Sequence, residues 1–339
     1  MKKKIYKLLK FISSPDNFNN RLTNNINNLF YKNNVIIIYI QLYNNSINIR
    51  ENISNEIKNI ILSFFKDKFK IQINFEIKKK TYFLKEKYNI PGIKKILIII
   101  SGKGGVGKST VCSILSIFLS KKYKVGILDA DIFGPSIPTL FKINNKNINY
   151  NKKNMFIPIN INNIKIISLG LLIKNNVILR GPMASKLINT IIYNTYWGKL
   201  DYLIIDLPPG TSDIHISILR DIKIHGAIFI SIPKKISIID VKKSINMVLN
   251  KYINIPIIGI IENMSFFICE KKKKKYYIFG KKNYIKNFSK KEKINFLGSI
   301  PFYKNINLLI NNKIKKNKFI KTIIKNILNN IFKNEKKKL

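Results

Sequence analysis

The fold of this chain is decided by residues 101–110, which read Ser101-Gly102-Lys103-Gly104-Gly105-Val106-Gly107-Lys108-Ser109-Thr110 and follow an apolar run at 96–100. The spacing fits the G-x-x-x-x-G-K-[ST] pattern, in which backbone N–H groups wrap a phosphate at a helix N-terminus. Glycine suits this loop because side chains would block the approach of the phosphate. Four of the 15 glycines lie between positions 102 and 107, so chance clustering is a poor explanation. The stretch predicts nucleotide binding, with hydrolysis as the reaction.

The side chains of this loop have separate predicted roles. Lys108 is expected to reach the outer phosphates as a point charge, and the Ser109 hydroxyl is expected to ligate the Mg²⁺ that bridges them. A strand pattern precedes the loop and a helical spacing of apolar residues follows it, which is the context that the motif requires. The candidate nucleotide-binding residues are therefore Gly102, Lys103, Gly104, Gly105, Val106, Gly107, Lys108, Ser109 and Thr110.

Length and glycine distribution predict two domains. A chain of 339 residues is long for one domain, and all 15 glycines lie between Gly92 and Gly298. We place the boundary near Pro91-Gly92, with a small α/β domain at 1–90 and a nucleotide-binding domain at 91–335. The small domain should contain helices at 5–11 and 53–65 and strands at 35–41 and 70–77.

The second domain alternates strand and helix patterns. Near-continuous apolar strands with helices between them are typical of a buried, mostly parallel, doubly wound sheet with helices on both faces. The fold class is therefore α/β. The predicted strands lie at 95–100, 124–129, 202–206, 227–232 and 255–261.

The basic charge of the chain has a compositional explanation. A formal charge of +45 would ordinarily suggest nucleic acid or an anionic membrane as the partner. Here lysine is spread among asparagine and isoleucine along the whole chain, and alanine occurs only at 130, 184 and 227, as expected from a coding bias toward A and T. Arginine, which supplies the bidentate contacts of dedicated sites, is rare. We expect no specific nucleic-acid partner.

Cysteine usage and apolar runs indicate the compartment. Cys112 and Cys269 are too few for a disulfide framework, and no signal-peptide pattern opens the chain, so we expect a cytoplasmic protein. Apolar runs such as 35–40 fall far short of the roughly 20 residues that a spanning helix needs. Cys112 lies among apolar helical residues, which favours a buried structural thiol.

Three carboxylates close predicted strands of the second domain. Ligands of parallel sheets bind at the carboxyl ends of the strands, where Asp206, Asp129 and Asp131 all fall. Asp206 is placed to hold Mg²⁺ directly or through water. One division of roles gives Asp129 to the metal and Asp131 to the attacking water, although the sequence does not distinguish the two.

Together these motifs place the chain near a known family. The loop at 102–109 and Asp-Ala-Asp-Ile-Phe-Gly-Pro-Ser at 129–136 resemble the deviant P-loop ATPases of the MinD and ParA group. Four further segments narrow the resemblance to the Mrp/ApbC iron–sulfur cluster carriers over about residues 90–330, with a degenerate MIP18-like domain at 1–90. They are Arg180-Gly181-Pro182-Met183, Trp197-Gly198-Lys199-Leu200-Asp201-Tyr202, Asp206-Leu207-Pro208-Pro209-Gly210-Thr211 and Gly259-Ile260-Ile261-Glu262-Asn263-Met264-Ser265.

The resemblance implies a homodimer that binds ATP and Mg²⁺ at its interface and delivers iron–sulfur clusters to apo-proteins. Lys103 would be the signature lysine that reaches the phosphates of the other subunit, so that hydrolysis depends on dimerisation. Lys103, Lys108 and Asp131 would then be the catalytic residues. Asn263 would contact adenine, with Pro301 in the flanking loop; either could equally be a turn residue.

The chain departs from this family at the cluster ligands. Family members usually carry C-x-x-C after the Glu-Asn-Met-Ser segment, whereas this chain reads Ile268-Cys269-Glu270-Lys271-Lys272. A dimer would offer two Cys269 thiolates, and four-iron clusters generally take four. Two readings stay open: a cluster carrier with weakened binding, and an ATP-switched adaptor that holds no cluster.

A MinD-like membrane switch is a further alternative. Residues 319–331 have an apolar helical face with lysines outside it, which suits either an interfacial helix or a terminal helix packed on the domain. The face is formed by Phe319, Ile320, Ile323, Ile324, Ile327, Leu328 and Ile331.

Overall fold

The computed structural model of the protein describes residues 1–14, 17–42, 47–65, 68–77, 87–132, 134–172, 181–211, 213–269, 274–303, 306, 310 and 318–336. The chain divides into two units, Met1–Phe83 and Leu84–Leu339. Each unit has its own cluster of buried apolar side chains. The assignment of residues 1–90 to a degenerate MIP18-like domain stays a prediction.

The first unit is built on a three-stranded sheet. Strands β3 (Ile26–Lys32) and β4 (Val35–Leu42) are antiparallel, and β4 and β5 (Lys70–Ile77) are parallel because helix α2 (Ile47–Phe65) crosses between them. Ile36, Ile38 and Ile40 alternate along β4 and are buried against α2 and α1 (Lys2–Leu9), so this strand buries one face. The elements are α1 (Lys2–Leu9), β1 (Ser13–Ser14), β2 (Asn17–Arg21), β3 (Ile26–Lys32), β4 (Val35–Leu42), α2 (Ile47–Phe65) and β5 (Lys70–Ile77).

The second unit alternates strands and helices. Its first elements are β6 (Ile93–Ser101), α3 (Lys108–Leu119), β7 (Val125–Asp129), α4 (Ile137–Leu140), β8 (Asn149–Tyr150), β9 (Phe156–Ile157), β10 (Ile159–Ile161), β11 (Ile164–Ser168), α5 (Leu169–Leu172) and α6 (Gly181–Tyr193). They are followed by β12 (Leu200–Asp206), α7 (Asp213–Asp221), β13 (Gly226–Ser231), α8 (Lys235–Val248), β14 (Ile257–Glu262), β15 (Phe267–Ile268), β16 (Lys275–Tyr276), α9 (Tyr284–Lys291), β17 (Phe296–Ser299) and α10 (Lys318–Lys336).

Eight of these strands form one sheet in the order β10-β11-β7-β12-β6-β13-β14-β17. All neighbouring pairs are parallel except β10 and β11. Six successive residues of β6, 96–101, are buried, which means that both faces of the sheet are covered at its centre. The α/β fold class and the five predicted strands of this sheet are confirmed. Strands β10, β11 and β17 were not predicted.

The parallel direction of the strands brings the predicted site residues to one edge. β6 runs into the loop at 102–107, β7 ends at Asp129, and β12 ends at Asp206. Asp129 and Asp206 are direct register partners in neighbouring strands. The carboxyl edge of the sheet is therefore where the site must be sought.

The apolar face of α10 is covered by its own domain. Ile320, Ile324, Ile327, Leu328 and Ile331 are buried, and α10 contacts β14, β17 and α3. Phe319, which the helical spacing also placed on this face, is instead 46% exposed. Of the two predicted roles for this helix, packing on the domain is the one observed. Among the described helices, none is long and apolar enough to cross a membrane.

Candidate functional site

The loop between β6 and α3 depends on glycine at specific positions. Gly107 is the N-cap of α3 and has φ of +80°, in the left-handed region that side chains rarely adopt. A Cβ on Gly102 would lie 2.3 Å from the backbone N of Val241, so α8 approaches the loop as closely as a glycine permits. Gly107 is thus needed for its backbone conformation, and Gly102 for the close approach of α8.

The loop forms one wall of a cavity of about 900 Å³. The opposite walls come from the segment after β7 and from the two prolines after β12, which places the predicted loop and Asp131 around one space. The lining residues are Ser101, Lys103, Gly104, Gly105, Val106, Gly107, Lys108, Ser109, Thr110, Asp131, Gly134, Pro135, Ser136, Thr139, Leu140, Pro208 and Pro209.

A buried ion pair lies at the base of this cavity. Lys108 Nζ is 2.6 Å from Asp206 Oδ1, and the two side chains are 6% and 0% exposed. Burial opposes the charge of Lys108, but Asp206 outweighs it and raises the pKa of that lysine. Burial also raises the pKa of Asp206, although Lys108 opposes that shift. The pair holds the lysine beneath the loop in its charged form.

Asp206 and Ser109 fit the requirements of a Mg²⁺ ion bound with nucleotide. Asp206 Oδ2 is buried and has no hydrogen-bond partner within the described part of the chain, a costly state that an ion or its bound water would relieve. The Ser109 hydroxyl lies 3.5 Å from Lys108 Nζ, and the same ammonium group pairs with Asp206. Mg²⁺ prefers such oxygen ligands and takes few of them from protein when substrate phosphates supply others.

Asp129 is committed to hydrogen bonds within the protein. Its carboxylate is fully buried and accepts hydrogen bonds from Ser168 Oγ at 2.9 Å, Asp131 N at 3.2 Å and Ile137 N at 3.4 Å. Burial, together with the nearby charge of Asp206, raises the pKa of Asp129 to about 7, although the bond from Ser168 opposes the shift. These bonds fix the turn that carries Asp131. A direct contact between Asp129 and the metal stays a prediction.

Apart from Lys108, the charged side chains that line this cavity are Asp131 and Lys103. Asp131 is 8% exposed and accepts a hydrogen bond from Gly134 N at 3.1 Å. Lys103 is exposed at the rim, and no hydrogen bond or ion pair within the described part of the chain holds its ammonium group. Its reach toward a second subunit stays a prediction.

Asn263 lies behind the loop and is 4% exposed. Its Nδ2 donates a hydrogen bond of 2.8 Å to the Val106 carbonyl. Pro301 is buried shortly after β17. Contact of Asn263 with adenine stays a prediction.

Several residues that shape the site were not predicted. Ser168 holds Asp129, and His215 Nε2 lies 2.9 Å from the carbonyl oxygen of Pro208 in the cavity wall. Ser136 and Thr139 line the cavity. Ser168 ends β11, so recognising that strand would have been the signal for it.

The two cysteines have different environments. Cys112 is fully buried in α3, and this burial raises the pKa of its thiol, as expected of a structural residue. Cys269 is half-buried beside the β15–β16 pair, where its N–H donates to the Lys274 carbonyl at 3.1 Å. The described residues contain no group of three or more His, Cys, Asp or Glu side chains that could hold a metal ion.

Known proteins resemble this chain over the second unit. The model of the family "ParA: NUBPL iron-transfer P-loop NTPase" matches residues 92–334. The iron-sulfur cluster carrier protein of Aquifex aeolicus is 43% identical over 216 residues, which are 62% of this chain and 58% of that protein. The iron-sulfur cluster transfer protein NUBPL of Dictyostelium discoideum is 39% identical over 221 residues, 64% of this chain and 68% of that protein.

A solved structure resembles the fold as well. The nucleotide-binding protein of Archaeoglobus fulgidus in complex with ADP has a TM-score of 0.58 and 32% sequence identity, covering 68% of this chain and 93% of that one. The match to the Aquifex relative spans less than two thirds of that protein's length. The similarity therefore covers the nucleotide-binding unit of this chain, and it spans 58% and 68% of the length of the two curated relatives.

Proposed function

The chain belongs to the ParA family of NUBPL iron-transfer P-loop NTPases, and we propose that it is a cytoplasmic, ATP-hydrolysing iron–sulfur cluster carrier that delivers clusters to apo-proteins. The observation that carries the nucleotide part is the buried Lys108–Asp206 pair beneath the glycine loop. The carrier part is supported by relatives named as iron–sulfur cluster carrier and transfer proteins.

In this proposal the phosphates of ATP lie in the loop cavity. Backbone N–H groups and Lys108 hold the phosphates, while Ser109 and Asp206 hold Mg²⁺, which neutralises charge on the phosphates. Asp129 fixes the turn that carries Asp131 by accepting a hydrogen bond from Asp131 N. Asp131, at the cavity wall, orients the attacking water.

Hydrolysis in this proposal requires a homodimer. Lys103 is exposed at the rim of its own site. In the dimer, the Lys103 side chain of each subunit reaches the phosphate that the other subunit binds. A cation supplied in this way stabilises the charge that develops in the transition state. The ATPase would then be active only in the assembled dimer.

The cluster is the cargo in this proposal, and Cys269 is its ligand. Two protomers supply two thiolates, fewer than the four that four-iron clusters generally take. A cluster held in this way has open positions for thiolates of an acceptor, which suits transfer rather than storage.

Anaerobic reconstitution tests the cargo. We expect iron and acid-labile sulfide at about one cluster per dimer in the wild type and close to none in Cys269→Ser. Cys112→Ser, which alters the buried thiol, is the matched control and should load normally. A wild type that retains no cluster would remove the carrier role.

An ATP-switched adaptor is the second candidate. It is favoured by the absence of a metal-ligating group of three side chains among the described residues. In that case Cys269→Ser would leave both ATP hydrolysis and delivery of clusters to acceptors unchanged.

A further inference from the structure

A short run of chain joins the nucleotide site to Cys269, and Asn263 is its first residue after β14. A Cβ on Gly107 would lie 2.4 Å from Asn263 Nδ2, so the amide fills the space that this glycine leaves open. The same nitrogen donates to the Val106 carbonyl at 2.8 Å. The Asn263 side chain is thereby interlocked with the phosphate loop, and a movement of the loop must displace it or break this bond.

The residues after Asn263 have little freedom to absorb such a movement. Ser265 N and Ser265 Oγ both donate to the Ile300 carbonyl at 3.0 Å, and Phe302 N donates to the Phe266 carbonyl at 2.8 Å. Ser265 and Phe266 are 2% and 9% exposed. Ser265 and Phe266 are thus both packed and hydrogen-bonded, which is the kind of contact that carries coupling between sites.

This segment leads directly into the β15–β16 pair that carries Cys269. Cys269 N donates to the Lys274 carbonyl at 3.1 Å, which places the cysteine where the two strands meet. The Phe266 ring has the Lys275 ammonium 4.6 Å from its centroid and the Tyr277 ring at 6.2 Å, so it also contacts the returning strand. The position of the Cys269 thiol therefore depends on the position of residues 263–266.

We propose that Asn263 is a positioning residue that transmits the nucleotide state of the phosphate loop to the Cys269 thiol. The inference rests on the proposed function, since it supplies the route by which the ATPase acts on the cluster ligand. Asn263 acts through the Val106 carbonyl, and the segment 263–268 carries the displacement to the cysteine.

The alkylation rate of Cys269 in the cluster-free, full-length protein measures this coupling. Cys112 is 0% exposed and does not compete, and peptide mass spectrometry assigns the modified residue. We expect saturating Mg-ATP to change the wild-type rate by about fivefold or more, the lower end of typical coupling between sites. In Asn263→Ala the change should fall below about twofold, because the link to the loop is lost.

Two further variants make the comparison specific. Asn263→Asp keeps the side-chain volume but sets a carboxylate against the Val106 carbonyl, so it should lose the response even where the alanine variant folds poorly. Asn295→Ala is the matched control, because it removes an amide bond of 3.3 Å to the Ile258 carbonyl of β14, away from the loop. It should keep the full response.

The outcomes separate this inference from the proposed function. A full ATP response of the alkylation rate in the Asn263 variants overturns the inference. This includes a full response that is reached only at higher ATP concentration, which is what loss of an adenine contact alone would produce. A wild type that hydrolyses ATP and transfers clusters with an unchanged alkylation rate overturns the inference and leaves the proposed function standing. A wild type that binds no ATP overturns the proposed function itself.

Discussion

Lys108 and Asp206 form a buried ion pair, and removal of one member leaves the other charge in the interior. Breaking such a pair costs about 3–5 kcal/mol, whereas an exposed pair contributes about 0–1 kcal/mol. We predict that Lys108→Ala lowers the free energy of unfolding by about 3–5 kcal/mol. Lys94→Ala, which removes the 76% exposed partner of Asp201, should cost less than about 1 kcal/mol.

Urea unfolding measures both variants. Trp197 is the single tryptophan of the chain and is 1% exposed, so its fluorescence reports on the nucleotide-binding unit alone. Equal losses in the two variants would contradict the importance of the buried pair.

Asp129 makes the stability of the nucleotide-free protein depend on pH. Its pKa is about 7 in the folded protein and close to 4 in an unfolded chain, so between these values the folded state binds more protons. Stability from this group is therefore present at low pH and lost as pH rises from about 4 to about 7. We predict that Asp129→Asn flattens the fall in unfolding free energy between about pH 5 and 7.

The control for this titration is a carboxylate with the opposite shift. A hydrogen bond from Lys94 lowers the pKa of Asp201, so this group stays ionised in both states throughout the window. Asp201→Asn should leave the slope unchanged, measured again by Trp197 fluorescence. A wild type and an Asp129→Asn variant with the same slope would contradict the raised pKa.

At the scale of the element, α10 stabilises the sheet through its buried face. Ile324 is 0% exposed, and truncating such a residue to alanine costs about 2–5 kcal/mol. Phe319, on the same helix, is 46% exposed, and surface substitutions usually stay within about 0.5 kcal/mol. We predict that Ile324→Ala lowers the free energy of unfolding more than Phe319→Ala does, as measured by urea unfolding. A larger loss in Phe319→Ala would contradict the packing of this helix.

The covered face of α10 also bears on the membrane alternative. An interfacial helix needs an apolar face that is free to enter the bilayer, whereas Ile320, Ile324 and Ile327 are already buried against the domain. We predict no ATP-dependent flotation of the protein with anionic liposomes. Binding that appears only with ATP would contradict this.

The strands that the sequence revealed are those with long apolar runs. β6 and β12 are buried on both faces, and their near-continuous apolar composition predicts this burial. The same pattern located Asp206 at the end of β12. Leu29 is the one buried residue of β3, with exposed residues on either side, and β17 has four residues including a glycine, so neither strand has a distinctive pattern. Ser168 was missed together with β11. The bond from Asn263 to Val106 joins positions 157 residues apart, which local patterns cannot show.

At the scale of the whole molecule, we propose that the exposed Lys103 makes ATP hydrolysis depend on assembly into a dimer. We predict that activity per chain rises with protein concentration and that Lys103→Ala lowers it by about 10²-fold or more, as loss of one transition-state donor does. Lys146→Ala, at another exposed lysine, should leave it unchanged. Activity that is independent of both concentration and Lys103 would contradict hydrolysis in a dimer.

Transfer of a cluster to an apo-acceptor tests the central claim most directly, because it requires the cargo, its ligand and its release together. The reconstituted protein is mixed anaerobically with an apo-ferredoxin, and the spectrum of the acceptor is followed with and without Mg-ATP. We predict that the wild type converts the acceptor to its holo form and that Cys269→Ser, treated in the same way, does not. Equal conversion by the two proteins, or none by the wild type, would contradict the account.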